Sequence, residues 1–589
     1  MKKGLIIFLI FFALLVTNAQ QTKPVVAKDT VKTEVVEVIT TYNPEIADAN
    51  KIHKNPVVNL SDNSKKKKLT YNIFSAPVAS TFIPKSGVVK GIDVGVKERI
   101  YDNYIAAGFG NFTSPYFEAY LHNYTRFESE IGVSLKYEAS LANIENTDLD
   151  SDFSNLLASV SYEQEERYFD WKLILNTELN NYNWYGLQEN SFAPSTIQNI
   201  EENQAYKFFN ATGEVDFLDS YIDKSVLSLS YFMDDYKSSE FFINLNTNFD
   251  LPIDFISRSL NNLQLKTSVE LLNGEFKSDY TNDTALKYSI FTAKLNPEYN
   301  ATFGGFSVKL GAKLFGSFDA ENSVNNVLVY PDIKIQKSII TEKLNAYAGV
   351  VGDFKTNTYK KFTEENPYVS PTLFITQTAE KYNAFLGFNG VINNDLSFNL
   401  SASFKEEQDK ALFIRNNSKS NGTNNFINGV ALQGFEYGNS FTLVYDDVKT
   451  TSFLAELEYD LTKRITLSTN VQFDSYTMSS QFEAWNLPTI QGAFIGKYKS
   501  NKWYATTNIF YVGERKDVIY ASTSPSAVSA IQTLDAFVDV NLNGGYHFND
   551  KFSAFLRLNN VLNSDYQRFG NFNVQGFQVL GGITYKFDF

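Results

Sequence analysis

The chain has 589 residues with no cysteine, three histidines, 51 Phe and 35 Tyr, and its formal net charge is -14. Zero cysteine removes disulfide scaffolds, thiolate metal sites and cysteine nucleophiles together. The acidic balance argues against a nucleic-acid partner, which would demand a basic face. Aromatics at 15% exclude a disordered chain. A mean hydropathy of -0.24 looks soluble, yet a membrane β-barrel has the same average, because lipid-facing apolar and lumen-facing polar residues cancel.

Residues 1–20 carry a basic start (Lys2, Lys3), an unbroken apolar run from Leu5 to Val16 and the small-residue site Thr17-Asn18-Ala19. This is the pattern of a secretory signal peptide. The run is too short to span a bilayer as a helix, which takes about 20 residues. Residues 21–100 contain Pro24, Pro44, Pro56, Pro77 and Pro84 and the run Lys65–Lys68. They read as an extended periplasmic tail, whose more apolar last part, 71–100, could enter a barrel lumen.

From Asn103 the dominant period is two. Phe453, Ala455, Leu457, Tyr459 and Leu461 alternate with Leu454, Glu456, Glu458 and Asp460; Ile465, Leu467, Thr469, Val471 and Phe473 alternate with polar residues. Such alternation means strands with one apolar and one polar face. Strand starts are expected near 102, 115, 129, 153, 168, 205, 224, 239, 261, 287, 305, 326, 343, 381, 395, 439, 463, 489, 501, 534, 551 and 576, which makes 22. No amphipathic helix is expected in this region. Short turns, such as Gly304-Gly305, alternate with mostly longer loops near 143–152, 184–204, 277–286, 357–380, 408–438, 476–488, 514–533 and 561–575. The expected fold is therefore all-β, a 22-stranded antiparallel transmembrane β-barrel over 101–589, with short turns in the periplasm and long loops outside the cell. Trp171, Trp184 and Trp503 are expected as interfacial girdle residues, and Trp485 as a loop residue that packs locally or touches a ligand.

The last expected strand ends on the face Ile583, Tyr585, Phe587 and Phe589. A terminal aromatic on such a strand looks like the insertion signal read by the barrel-assembly machinery. Residues 534–589 resemble the end of TonB-dependent receptor barrels. The carrying residues are Gly545-Tyr546-His547-Phe548, then Leu558 to Asn563 with Tyr566, then the strand to Phe587. The match departs where the family has Gly-Arg and this chain has Gly576-Phe577.

The resemblance implies a 22-stranded barrel in the outer membrane, set in lipid and lipopolysaccharide, with transport of a solute through a gated lumen. The family's globular plug is not recognisable before the barrel. That leaves a second reading, a non-transporting barrel that serves as scaffold or accessory subunit of an envelope complex. Val35, Val36, Glu37, Val38, Ile39 and Thr40 are similar to the short box that pairs with a TonB-like energy coupler by strand addition, or are a β-prone piece of tail.

Little points to catalysis. His53, His122 and His547 have no Ser–Asp partners nearby in sequence, and no enzyme activity, cofactor or catalytic residue is expected. Glu145, Asp148, Asp150 and Asp152 lack the glycine and spacing of a calcium loop and read as a solvated loop, so no metal is expected. Lys65–Lys68 read as a solubilising run.

Overall fold

The computed structural model describes residues 101–589 apart from 126–128, 256–261, 283, 394 and 521–527. Val35–Thr40, His53, Lys65–Lys68 and the expected signal peptide and tail lie outside the described residues.

Twenty-two antiparallel strands form one sheet in which each strand pairs with its chain neighbours. The sheet closes on itself. Asn103–Gly110, the first strand, pairs with Gln578–Phe587, the last, from Asn103↔Phe587 to Gly110↔Leu580. A closed sheet has no edge, so every backbone group in the wall can be satisfied without water. Every expected start lies within three residues of an observed one, with the largest differences at 381 against Thr378 and 534 against Phe537.

The period of two sorts side chains onto the two sides of the wall. In Ile222–Asp234, Leu227, Leu229 and Tyr231 are exposed while Ser228 and Ser230 alternate with them. Val327, at 73% exposure, Val329, Ile333 and Ile335 do the same along Val324–Ile340. A continuous belt of exposed Leu, Val, Ile and Phe around a closed sheet is the lipid-facing surface of a membrane barrel. The opposite face carries ion pairs. Lys309 meets Asp332 at 2.7 Å, Lys266 meets Glu298 at 2.9 Å, Lys313 meets Asp353 at 3.1 Å and Lys355 meets Glu380 at 2.6 Å. That face is wet, since such charges are costly in hydrocarbon.

At the short-turn end sit exposed Tyr168, Tyr221, Phe303, Trp503 and Phe548. Trp171 packs on Tyr162 with centroids 5.2 Å apart, and Trp503 on Tyr546 at 4.6 Å. Both belong to an aromatic girdle. Gly304 (φ 56°) and Gly305 (φ 80°) make one two-residue turn between the paired Phe303 and Phe306. Positive φ at both positions matches the twist of the flanking strands, and glycine takes it without strain.

Two strands are far longer than a bilayer needs. Leu396–Arg415 has 20 residues and Phe441–Thr462 has 22, against roughly 9–11 for a spanning strand. The outer face of this pair marks where hydrocarbon stops. Leu400, Phe404 and Phe453 give way to Glu406, held by Lys381 at 3.1 Å and Lys449 at 3.7 Å. A register shift between Glu407 and Lys410 follows at once. Residues 408–415, expected in a loop, continue the strand beyond it because Lys410–Arg415 find a hairpin partner in Phe441–Asp446.

Candidate functional site: a packed cap over the barrel mouth

The long loops carry an apolar core of their own, and that core is the candidate site. Its largest cluster joins Leu149, Tyr185, Leu187 and Ile200 to Tyr359, Phe362, Val369, Tyr437, Phe569 and Phe572. These residues belong to loops rooted at five separate places around the ring of strands. Loops from such distant roots can share one core only by spanning the opening. Phe572 is the meeting point: Tyr368 stacks on it at 3.8 Å, Tyr185 approaches at 5.0 Å and Phe441 at 5.9 Å. The Tyr185 hydroxyl also donates to the Asn573 carbonyl at 2.8 Å.

One segment docks into the barrel wall itself. Tyr359–Glu365 is a seven-residue helix, capped by Thr358, whose hydroxyl accepts from the Lys361 N–H at 3.1 Å. Together with Pro194–Ile197 it is a helix where none was expected. Both are short helices within loops, too short to leave an amphipathic period in sequence.

Tyr359 is fully buried against Phe276 at 4.8 Å and Phe232 at 5.1 Å, two wall residues on the lumen side. Its hydroxyl donates to Asp234 at 2.9 Å, and the helix's first N–H groups, Tyr359 and Lys360, donate to Glu240 at 2.6 and 3.2 Å. A carboxylate at a helix N-terminus satisfies donors that have no intrahelical partner. Lys360 reaches Glu178 at 2.5 Å and Glu364 at 2.8 Å. Burial opposes its charge, but these carboxylates outweigh burial and hold its pKa above the ordinary lysine value.

Elsewhere the loops cross at glycines. A Cβ on Gly434 would overlap the carbonyl oxygen of Glu201, so the 416–440 loop can lie this close to the 184–202 loop only through glycine. The extended hairpin is covered on both faces. Phe413, Phe441, Leu443 and Tyr445 join the large cluster, whereas Leu412 and Ile414 pack with Trp485, Leu487 and Val518.

This geometry corrects one expectation and resolves another. Trp184 is not a girdle residue; it is 1% exposed, between Tyr236 at 5.2 Å and Phe435 at 5.4 Å, because the chain leaves the barrel wall at Asn183 and turns into the cap. Trp485 packs locally, its indole N–H donating to Gln481 at 2.6 Å. Asp150 and Asp152 accept from the amides of Asn143 and Asn183 at 2.6 and 2.7 Å. Among the described residues no group of three or more His, Asp or Glu is placed to hold a metal. His122 lies 3.3 Å from Glu130 and His547 packs on Tyr504 at 5.5 Å, separate positions at the short-turn end. Ile583 and Tyr585 are exposed on the outer face of the last strand, Phe589 is exposed beyond its end, and the Phe587 ring lies between those of Tyr585 and Phe589.

The aromatic cap went beyond the loops expected from sequence, though the chain carries a signal for it. Stretches such as Tyr182–Leu187, Phe362–Phe374 and Phe435–Phe441 are too rich in rings for solvated loops.

A closed, lipid-belted sheet with a wet interior and a loop core over one end defines a 22-stranded transmembrane β-barrel. No protein-family profile and no curated protein sequence matches the chain. Solved structures do. The FrpB iron transporter from Neisseria meningitidis is 10% identical with a TM-score of 0.62, over 83% of this chain and 82% of that one. The siderophore receptor PirA from Acinetobacter baumannii is 12% identical at 0.60, over 82% and 80%. A mutant of the ferric enterobactin receptor PfeA from Pseudomonas aeruginosa is 10% identical at 0.58, over 82% and 80%. At such identities the likeness is one of fold. The barrel expected from the resemblance to TonB-dependent receptors is the barrel this chain forms, and the proteins that share it are named as receptors and a transporter, not as enzymes.

Proposed function

We propose that this protein is an outer-membrane receptor-like transporter whose lumen is gated by its loop cap. The carrying observation is the docking of Tyr359–Glu365 into the lumen wall beneath a core shared by distant loops. Such a cap closes the long-loop end at rest, and its loops must part before a solute enters. The polar, ion-paired wall below suits a hydrated solute path. The fold shared with iron and siderophore receptors supports the transport reading by analogy. In this reading the long loops face outward and the short turns face the periplasm. The tail 21–100 lies on the periplasmic side, and Val35–Thr40 offers a strand to a TonB-like coupler.

The test is conductance in planar bilayers, with and without residues 21–100, together with uptake in cells lacking 35–40. Conductance that rises when the cap or tail is removed supports gating, and loss of uptake supports energy coupling. No conductance in any form, with stoichiometric partners on purification, would replace transport with the scaffold reading.

A further inference from the structure

The lipid-facing wall carries a recess toward its short-turn end. Across four neighbouring strands a groove of about 220 Å³ opens outward, lined by Leu396, Leu457, Tyr459, Leu467, Thr469 and Phe494. Cross-strand pairing explains it. Leu467 stands opposite Tyr459 on one side and Gly496 on the other, and Thr469 stands opposite Leu457 and Phe494. Gly496 leaves a gap in the outward row between Phe494 and Tyr498. A Cβ there would meet its nearest neighbours, Leu467 and Phe494, only at 3.6 and 3.7 Å, so no close packing demands a glycine.

Just past the groove the chemistry changes from apolar to cationic. Lys463, Arg464, Lys497, Lys499 and Lys502 are all exposed, and among the described residues none of them forms an ion pair. The Lys499 N–H donates to the Arg464 carbonyl at 2.9 Å, which ties the two basic ends together. Two acids share this rim: Asp460, which accepts from the Thr466 hydroxyl at 2.6 Å, and exposed Asp395. The balance remains positive. By contrast, the short turns at 165–167, 219–223, 341–343 and 549–551 each carry a carboxylate. Arg464 lies three residues from Leu467, and Lys499 three from Gly496. At roughly 3.3 Å per residue that is about 10 Å along the strands. Tyr459, Tyr498 and Trp503, exposed at this end, mark the headgroup level.

We propose that this face binds one phospholipid with an anionic headgroup, an acyl chain in the groove and the phosphate on the Lys463, Arg464 and Lys499 cluster. A tail that moves from lipid into an apolar groove gains nothing from the hydrophobic effect. The groove instead supplies a fixed packing surface, and the cations supply the selection by charge. A zwitterionic headgroup carries its own cation and loses that selection. The site is independent of whether the barrel conducts.

The experiment is native mass spectrometry of the purified full-length protein, delipidated in detergent and titrated with phosphatidylglycerol, phosphatidylethanolamine or lipopolysaccharide. One phosphatidylglycerol should be retained at a concentration about tenfold below that needed for phosphatidylethanolamine. Two variants localise it. Lys463→Gln combined with Arg464→Gln should weaken phosphatidylglycerol retention about tenfold and leave phosphatidylethanolamine unchanged. Gly496→Leu fills the groove with a side chain suited to the lipid belt, and should weaken retention about threefold or more. Both should keep the unfolding midpoint of the native barrel. Equal retention of the two phospholipids, preference for lipopolysaccharide, or retention that neither variant alters overturns the proposal.

Discussion

Replacing Tyr359 by alanine should undock the cap while leaving the barrel intact. The ring is fully buried between Phe276 and Phe232, so its removal leaves a cavity there. Truncating a buried aromatic costs about 3–5 kcal/mol. Asp234 loses one donor but keeps the N–H groups of Tyr236 at 2.9 Å and Ser238 at 2.8 Å, so its share of the cost is small. A loss of about 4 kcal/mol shifts the docked-to-undocked ratio roughly a thousandfold. Tyr359→Phe removes only the hydroxyl bond, about 1.5 kcal/mol, or roughly tenfold. Limited proteolysis within 356–377 reads the undocked population directly when reclosing is faster than cleavage. The expected order of cleavage is alanine fastest, phenylalanine next and the native chain slowest, with single-channel conductance rising in the same order. Equal cleavage and conductance in all three would refute the docking argument.

Gly434→Ala drives a Cβ into the Glu201 carbonyl and should separate the two loops at a cost of about 1–3 kcal/mol. It is read as a red shift of the Trp184 emission, whereas Gly213→Ala, with open space around its Cβ, should stay within about 0.5 kcal/mol of the native chain. The raised pKa of Lys360 adds docking stability that is complete below the ordinary 10.5 and disappears as pH climbs through the raised value. Cleavage of the 356–377 loop should therefore accelerate above about pH 10; Lys360→Met should weaken that alkaline limb without removing it, because burial also holds the Tyr359 and Tyr368 hydroxyls above their ordinary pKa, and an unchanged limb would discard the contribution of Lys360. Deleting Phe589, which is 81% exposed, should leave the unfolding temperature of refolded barrel unchanged while lowering the amount assembled in cells. Equal assembly would discard the proposed insertion signal.

The wall was legible in sequence because a strand between lipid and water can satisfy both only by strict alternation, as Phe453 to Leu461 do opposite their polar neighbours. Closure was legible too, through an even strand count and a last strand ending in aromatics. The cap was not. Its residues are placed by contacts between loops far apart in sequence, such as Tyr185 with Asn573 and Trp184 with Phe435, and no period records these. Trp184 misled for that reason: it directly follows a strand that ends at Asn183, where a girdle residue would sit. The extension to Arg415 was hidden by the irregularity after Glu407, which interrupts the alternation on which the strand reading depends.

Thiol cross-linking between the cap helix and the wall in intact cells probes the docked cap itself, and the absence of native cysteine makes it clean. Lys360→Cys combined with Glu178→Cys places one thiol on each side of the 2.5 Å ion pair that docks the helix. A short bifunctional thiol reagent should join them in high yield, as should a control pair across the closure at Ala107 and Ile583. A joined control with an unjoined 178–360 pair would mean that the loop does not occupy the mouth, and that the lumen is not gated there.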